Sequence, residues 1–458
     1  MASSNAEKTV SLKVWIDKEL NRVVFAESES DLVDVLFSFL TLPIGNIIRL
    51  LRERQPSMSI GCFNSLYTSL ETLETRYFKS EGCKSMLLRP RNSSWDICRK
   101  LKLNMDDTEQ TKYYICSCYH LDRVNCNAHC SDLLSTIRNI KCNCGVLMDR
   151  EVNLENPIVD IGRSAVICCR NDDIFNNRRY AEFIIYIFLF APLFQILGLL
   201  GQSLVSKTPL TDVFLMKQEN PTNVMSQHIS TTETPRKEDT TSNNQEITVK
   251  ITVRKSSGKV VFAEAGENFV SFLFNLLAFP LGSISKLLGP TSLFDCVSNL
   301  YKSVQGLAVG KYIRSEDLKE MLLSPKLAPQ FGWSNQPLVI DEKQFLDTHY
   351  YTTWNGHVST GRLTTTTKDL YGCYTNSLTF VKPSMTGTGN GFLEGPVLFL
   401  VTDDLVVTPL SVFPCISFLG SQNIPFNDLE EREVSIGMKE VRYVLLCTSF
   451  MIIMVFLA

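Results

Sequence analysis

Almost every signal that would assign a reaction is missing from this sequence. It has no His-Glu-x-x-His pair, no Gly-x-Ser-x-Gly turn and no protein-kinase motif set. Histidine is scarce, with five in 458 residues, so general acid–base chemistry has few candidates. Neither sign of charge dominates: 45 Lys and Arg against 48 Asp and Glu leave −3, which excludes a globally basic nucleic-acid binder. The first ten residues hold no apolar stretch and no Arg falls in the first twenty, so neither a secretory signal nor a transit peptide is expected. The compartment this implies is cytosol or nucleus, where cysteines are thiols or metal ligands rather than disulfides.

Apolar material is plentiful, at 44% of residues, enough to bury a core. Two runs of it stand out. Residues 183–205 carry no charge, and 441–458 carry only Arg442. A membrane span needs about 20 apolar residues. Pro192, Gln195 and Gln202 interrupt the first run, which is expected to supply a buried helix. The second is the alternative: a C-terminal tail anchor, leaving the rest of the chain facing the cytosol.

The strongest positive signal is an internal repeat. Residues 10–51 match 247–288 without a gap at 16 of 42 positions, including Val23-Val-Phe-Ala-Glu27 with Val260-Val-Phe-Ala-Glu264, Pro43 with Pro280 and Gly45 with Gly282. The match continues through Leu66-Tyr67 and Leu300-Tyr301, Met86-Leu-Leu88 and Met321-Leu-Leu323, and Pro90 and Pro325. It is too long for a solenoid repeat, so the expectation is two homologous modules in tandem, 7–215 and 247–458. Residues 216–246 between them are polar and should be a flexible linker, leaving the modules separable. Each module opens with alternating apolar residues, a turn and a second strand, which reads as a β-hairpin. Two helices should follow, with Ser30 or Asp31 as N-cap of the first and Leu42-Pro-Ile-Gly45 as its end. The expected fold is α+β, with mixed α/β as the alternative.

Of the 15 cysteines, eleven fall between Cys62 and Cys169. The densest stretch, 116–144, reads Cys116, Cys118, His120, Cys126, His129, Cys130, Cys142 and Cys144. A tetrahedral zinc site takes four such ligands, commonly in two close pairs. On extended backbone residues i and i+2 face the same side, so Cys116, Cys118, Cys142 and Cys144 are the expected zinc ligands, with Cys126, Cys130 and His120 as substitutes. The competing reading is a set of buried reduced thiols: no Cys-x-x-Cys pair occurs, and the second copy keeps only Cys373 there. His120 aligns with His357, without a nucleophile paired to both. Asp172-Asp173 and Asp403-Asp404 end apolar strands, where either catalytic carboxylates or ordinary turns occur. Gly387-Thr-Gly-Asn-Gly391 lacks dinucleotide-fingerprint spacing and is expected to be a loop.

The opening hairpin, the Leu42-Pro-Ile-Gly45 turn, the Cys142-Asn-Cys-Gly145 segment, Ser206-Lys-Thr-Pro-Leu-Thr-Asp-Val213 and the Thr402-Asp-Asp404 strand end together resemble a plant-specific family known only as domain of unknown function 674. The resemblance covers the chain apart from the linker and implies tandem copies. It implies no reaction. Since the copies share core positions and almost no polar constellation, the expected function is a non-catalytic binding or scaffold protein engaging a protein partner through both modules. The alternative is a metal-assisted hydrolase or transferase using the strand-end Asp pairs.

Overall fold

The computed structural model describes residues 12–17, 20–120, 130–154, 167–168, 185–186, 192–215, 246–289, 295–332, 338, 340–344, 349–354, 357–364, 373–383 and 391–437. The first copy opens with β1 (Leu12–Asp17) and β2 (Arg22–Ser28), an antiparallel hairpin, then α1 (Ser30–Ser38), a 3-10 turn and α2 (Ile44–Arg54). Next come α3 (Cys62–Thr72), α4 (Glu81–Leu88) and α5 (Trp95–Cys98). Six short strands follow: β3 (Tyr113–Ile115), β4 (Leu133–Leu134), β5 (Ile140–Lys141), β6 (Leu147–Met148), β7 (Arg150–Val152) and β8 (Ile185–Tyr186). Two helices, α6 (Pro192–Val205) and α7 (Pro209–Phe214), lead towards 216–245, so the expected linker lies outside the described residues.

The second copy repeats the opening with β9 (Ile247–Arg254), β10 (Lys259–Gly266), α8 (Glu267–Asn275) and α9 (Leu281–Leu288), then α10 (Asp295–Gly306) and α11 (Glu316–Leu323). Three longer strands, β11 (His349–Trp354), β12 (His357–Thr364) and β13 (Cys373–Phe380), form an antiparallel sheet with β11 between the other two. The copy closes with β14 (Leu398–Val401), β15 (Val407–Pro409), α12 (Val412–Ser421) and β16 (Leu429–Ile436). One detail differs from the sequence expectation. Glu29 is the N-cap of α1, without a side-chain bond, while Ser30 and Asp31 lie inside the first turn, where Asp31 pairs with Lys102 at 3.2 Å. An acidic side chain in a first turn favours the helix dipole without capping it.

The repeat is visible bond by bond. Tyr67 Oη donates to the Leu88 carbonyl at 3.0 Å and Tyr301 Oη to the Leu323 carbonyl at 3.1 Å. Ser80 and Ser315 cap α4 and α11, each accepting a backbone N–H at 3.3 Å. Lys84 Nζ donates to the carbonyls of Glu71 and Leu73, and Lys319 Nζ to those of Gln305 and Leu307. These side chains satisfy carbonyls and N–H groups that helix ends leave open.

The two copies also meet through equivalent residues. Ile44 N donates to Phe279 O at 3.1 Å while Leu281 N donates to Leu42 O at 3.1 Å, so Pro43 and Pro280 face each other across a local two-fold. Proline has no N–H to offer, and both donors come from the residue that follows it. The repeated glycines explain themselves here. A Cβ at Gly282 would sit 2.5 Å from Leu322 O and 3.0 Å from Leu40 O, and one at Gly45 would sit 3.1 Å from Leu277 O. Further out the copies exchange segments. Asp34 on α1 accepts from Cys168 N at 2.7 Å, and Cys168 bridges Ile313 of the second copy. Ser271 on α8, the equivalent position, accepts from Leu393 N at 3.1 Å, and Leu393 bridges Phe78 of the first copy. Phe78 also stacks on Phe274, centroids 6.3 Å apart.

One hydrophobic core therefore runs through both copies, from Val14, Leu40 and Ile47 to Phe272, Leu277 and Ile284. The expectation of separable modules gives way to this shared core, because the surfaces that α1–α2 and α8–α9 bury are each other's. Residues 192–205 of the first apolar run form α6, whose Ile196, Leu197 and Leu200 are buried against α2 and α10. Among the described residues no helix is long and apolar enough to cross a membrane. Residues 441–458 lie outside the described residues.

Two outcomes follow. After proteolytic nicking within 216–245, the fragments should co-elute in size-exclusion chromatography and part only in denaturant; separation in native buffer would refute the shared core. Gly282→Ala should cost about 1–3 kcal/mol in a urea melt, since backbone rather than a flexible side chain blocks the new Cβ.

Candidate metal centre

Three pieces of the first copy converge on one group of thiols. Cys116 directly follows β3, and Cys118 lies in the 3-10 turn after it. Cys130 opens the 3-10 turn that leads into β4. Cys142 and Cys144 sit in the tight connection between β5 and β6, which closes through Gly145 N to Cys142 O and Cys142 N to Val146 O, both 2.8 Å. Gly145 has φ +84°, a conformation glycine adopts without a Cβ penalty.

The sulfurs of Cys116, Cys118, Cys130 and Cys144 all lie within 4.8 Å of one another. The closest separations are 3.0 Å for Cys116–Cys118, 3.5 Å for Cys118–Cys144 and 3.6 Å for Cys116–Cys144. All are far longer than a disulfide's ~2.05 Å, and all five cysteines are free thiols. Of the four residues expected as ligands, the structure brings Cys116, Cys118 and Cys144 together. It fills the fourth corner with Cys130, one of the substitutes. Cys142 stands just behind, its sulfur 3.5 Å from that of Cys130. The reason is local. The Cys142–Gly145 stretch is a turn rather than extended chain, so the rule that puts i and i+2 on one side fails there. Cys126 and the side chain of His120 lie outside the described residues.

The Cys142 thiol is pulled down to about 5, first by the Cys116 thiol, then by the backbone N–H of Cys144 and by neighbouring thiols, against its own burial. Cys116 is pushed upward as the donor to Cys142 and by burial. Within each Cys-x-Cys pair the second residue's N–H points at the first residue's sulfur. A cluster of thiols with sulfurs closer than separate packing needs is a donor set for a soft divalent ion.

The cluster is also fastened to the second copy. β4, directly after Cys130, pairs parallel with β13 through Thr379–Leu133 and Phe380–Leu134. Gln330 of the second copy, 1% exposed, accepts from Thr136 N at 2.8 Å and from Thr136 Oγ1 at 2.6 Å, and donates to Val381 O. No local sequence signal announces Gln330. Its partners lie far away in the chain.

The other candidates resolve differently. Asp404 Oδ1 accepts from Thr402 Oγ1 at 2.6 Å inside the turn between β14 and β15, and Leu405 N closes that turn on Thr402 O. Asp172 and Asp173 lie outside the described residues, as do 387–390 of the glycine-rich loop. Cys373 opens β13 opposite Trp354, and Trp354 also pairs with His357.

A family model described as protein of unknown function (DUF674) matches residues 6–187 and 192–439. The chain belongs to that family and carries two tandem copies of it. The second match begins at 192, ahead of the repeat's own start at 247, and so takes in α6 and α7. No curated protein and no solved structure matches.

If the tetrad holds a metal, a chelator should lower the melting temperature of purified full-length protein by roughly 5 °C or more, since a ligand that binds only the folded state stabilises it. Cys116→Ser should remove the chelator effect together with the bound metal. A melt unchanged by chelation in metal-replete, reduced protein would discard the site.

Proposed function

We propose that this chain is a non-catalytic binding protein: two fused family copies form one rigid platform, a zinc ion fastens part of it, and a protein partner docks on the surface. What carries this reading is the nature of the repeated interactions. Tyr67 and Tyr301, Ser80 and Ser315, Lys84 and Lys319, and Gly45 and Gly282 all serve packing, capping or backbone approach. The strand-end Asp404 serves its own turn.

Zinc is the proposed ion because of the donor set and its dimensions. Zinc–thiolate bonds of about 2.3 Å in a tetrahedron put sulfurs about 3.8 Å apart, and two of the three closest separations are 3.5 and 3.6 Å. The ligands would be Cys116, Cys118, Cys130 and Cys144, with Cys142 in place of Cys130 as the neighbouring choice. Four protein ligands make a closed, structural centre. Its work here would be to hold β3, β4 and the β5–β6 connection in register against β13. The free thiols fit a reducing compartment, cytosol or nucleus.

The surface that suits a protein partner is α12. Val412 is 76% exposed, Phe413 82% and Ile416 50%, while Cys415, Phe418 and Leu419 of the same helix pack inward on Val261, Phe262 and Leu400. Large apolar side chains clustered on an exposed helix face mark interaction sites.

Metal analysis of reduced protein should find about one zinc per chain, and none in a Cys116→Ser/Cys144→Ser variant. Affinity purification with Phe413→Glu beside the parent chain tests the docking face: specific partners should disappear while the melting temperature stays within about 1 °C. Turnover of a metabolite by the purified protein, lost in Asp403→Asn/Asp404→Asn, would replace the binding reading with a hydrolase or transferase.

A further inference from the structure

The exposed face of α12 has a match in the chain's own sequence. α12 carries no charged residue along its ten positions, whereas a surface helix ordinarily turns a charged side to water. Its outward side presents Val412, Phe413 and Ile416, then Ser417 and Gly420. Leu398 extends this apolar surface at the start of the helix. It is 54% exposed and points to the same side of the sheet as Leu400, which α12 covers.

The segment that follows β16 has the same character. Residues 443–458 hold no charge, with Lys439, Glu440 and Arg442 just ahead of them. Sheet topology puts the root of this segment near the start of α12. Ile436, the last residue of β16, pairs with Ile247 at the start of β9, and Leu398 pairs with Gly266 at the end of β10. β9 and β10 are antiparallel, with Lys250 opposite Glu264, so Ile247 and Gly266 lie at one end of the five-stranded sheet. α12 starts at that end too, because Leu410 N donates to Leu398 O at 2.8 Å just before the helix. β16 lies two strands from β10, about 10 Å across the sheet, and a packed layer stands about 10 Å above it. Residues 437–442, extended, reach about 20 Å.

We propose that residues 443–458 dock on the outward face of α12 and that a protein partner gains this face by displacing them. The proposal rests on the binding reading above and adds its regulation. Neither surface has a charge to desolvate, so removing both from water drives the contact. A membrane is the competing occupant for such a run. Sixteen residues rise only about 24 Å as a helix, against about 30 Å for a hydrocarbon core, whereas α12 is about 15 Å long and within reach.

The test places the photo-crosslinker p-benzoylphenylalanine at position 413 of the full-length chain and, as a control, at position 147, where Leu147 is exposed on the first copy. Adducts within one chain to residues 443–458 should form at least about fivefold more from 413 than from 147, since docking raises the effective concentration. A chain ending at Lys439 keeps every described residue, the last being Gly437. It should bind bis-ANS at least about twofold more brightly, and Phe413→Glu/Ile416→Glu in it should reverse the gain. Partners that Phe413→Glu loses should be captured at least about threefold more by the shortened chain; no gain overturns the displacement. No adduct to the segment, equal adducts from both positions, or an adduct joining two chains overturns the docking. So does flotation of the full-length chain with phosphatidylcholine–phosphatidylserine vesicles that is lost in the shortened one. Crosslinking needs no partner, so failure of the docking and failure of the binding reading are told apart.

Discussion

Two backbone hydrogen bonds, Ile44 N to Phe279 O and Leu281 N to Leu42 O, set the relation between the copies on which the rest of the molecule depends. They occur where each copy has just left a helix and is about to start another, so they fix four helices at once. Proline at the centre of each triplet ends the first helix and withholds its own N–H, leaving one donor per copy and hence one register. Glycine two residues on lets the partner's carbonyl approach: Leu277 O at Gly45 and Leu40 O at Gly282. With the axis set, Asp34 and Ser271 each hold a segment that reaches across to the other copy. The result is a dimer made within one chain.

Departures from that symmetry are where the copies acquired separate properties. The same pentapeptide, Val-Val-Phe-Ala-Glu, meets two fates. In the first copy Val24 and Phe25 are 58% and 45% exposed. In the second, Val261 and Phe262 are buried, because β10 sits in the middle of a five-stranded sheet and α12 covers one face. The thiol cluster belongs to the first copy, and the exposed apolar face of α12 to the second.

A metal in the cluster would act across the join. Cys130 leads directly into β4, which extends the second copy's β12-β11-β13 sheet, and Gln330 fastens the same segment from the other side. Holding the short strands β3 to β7 in place is a substantial task. Runs of two or three residues bury too little surface to be stable alone. A metal held by four thiolates would give them what a larger core gives the helices.

Much of this was legible from residues alone. The ungapped match established the tandem copies, alternation of Val, Leu and Ile against polar residues located the hairpins, and Pro43 and Pro280 marked the helix ends, because each signal is local and rests on backbone sterics or side-chain period. The crowding of thiols between 116 and 144 likewise announced the cluster. Tertiary structure decided what depends on distant neighbours. That Cys130 rather than Cys142 completes the tetrad follows from a turn ending at Gly145 that sets the Cys142 sulfur behind the group, against Cys130 and Cys116. That the copies share a core, with Gln330 and Asp34 as ties, follows from surfaces whose partners lie far along the chain, and nothing within one helix or strand records which distant face will bury it.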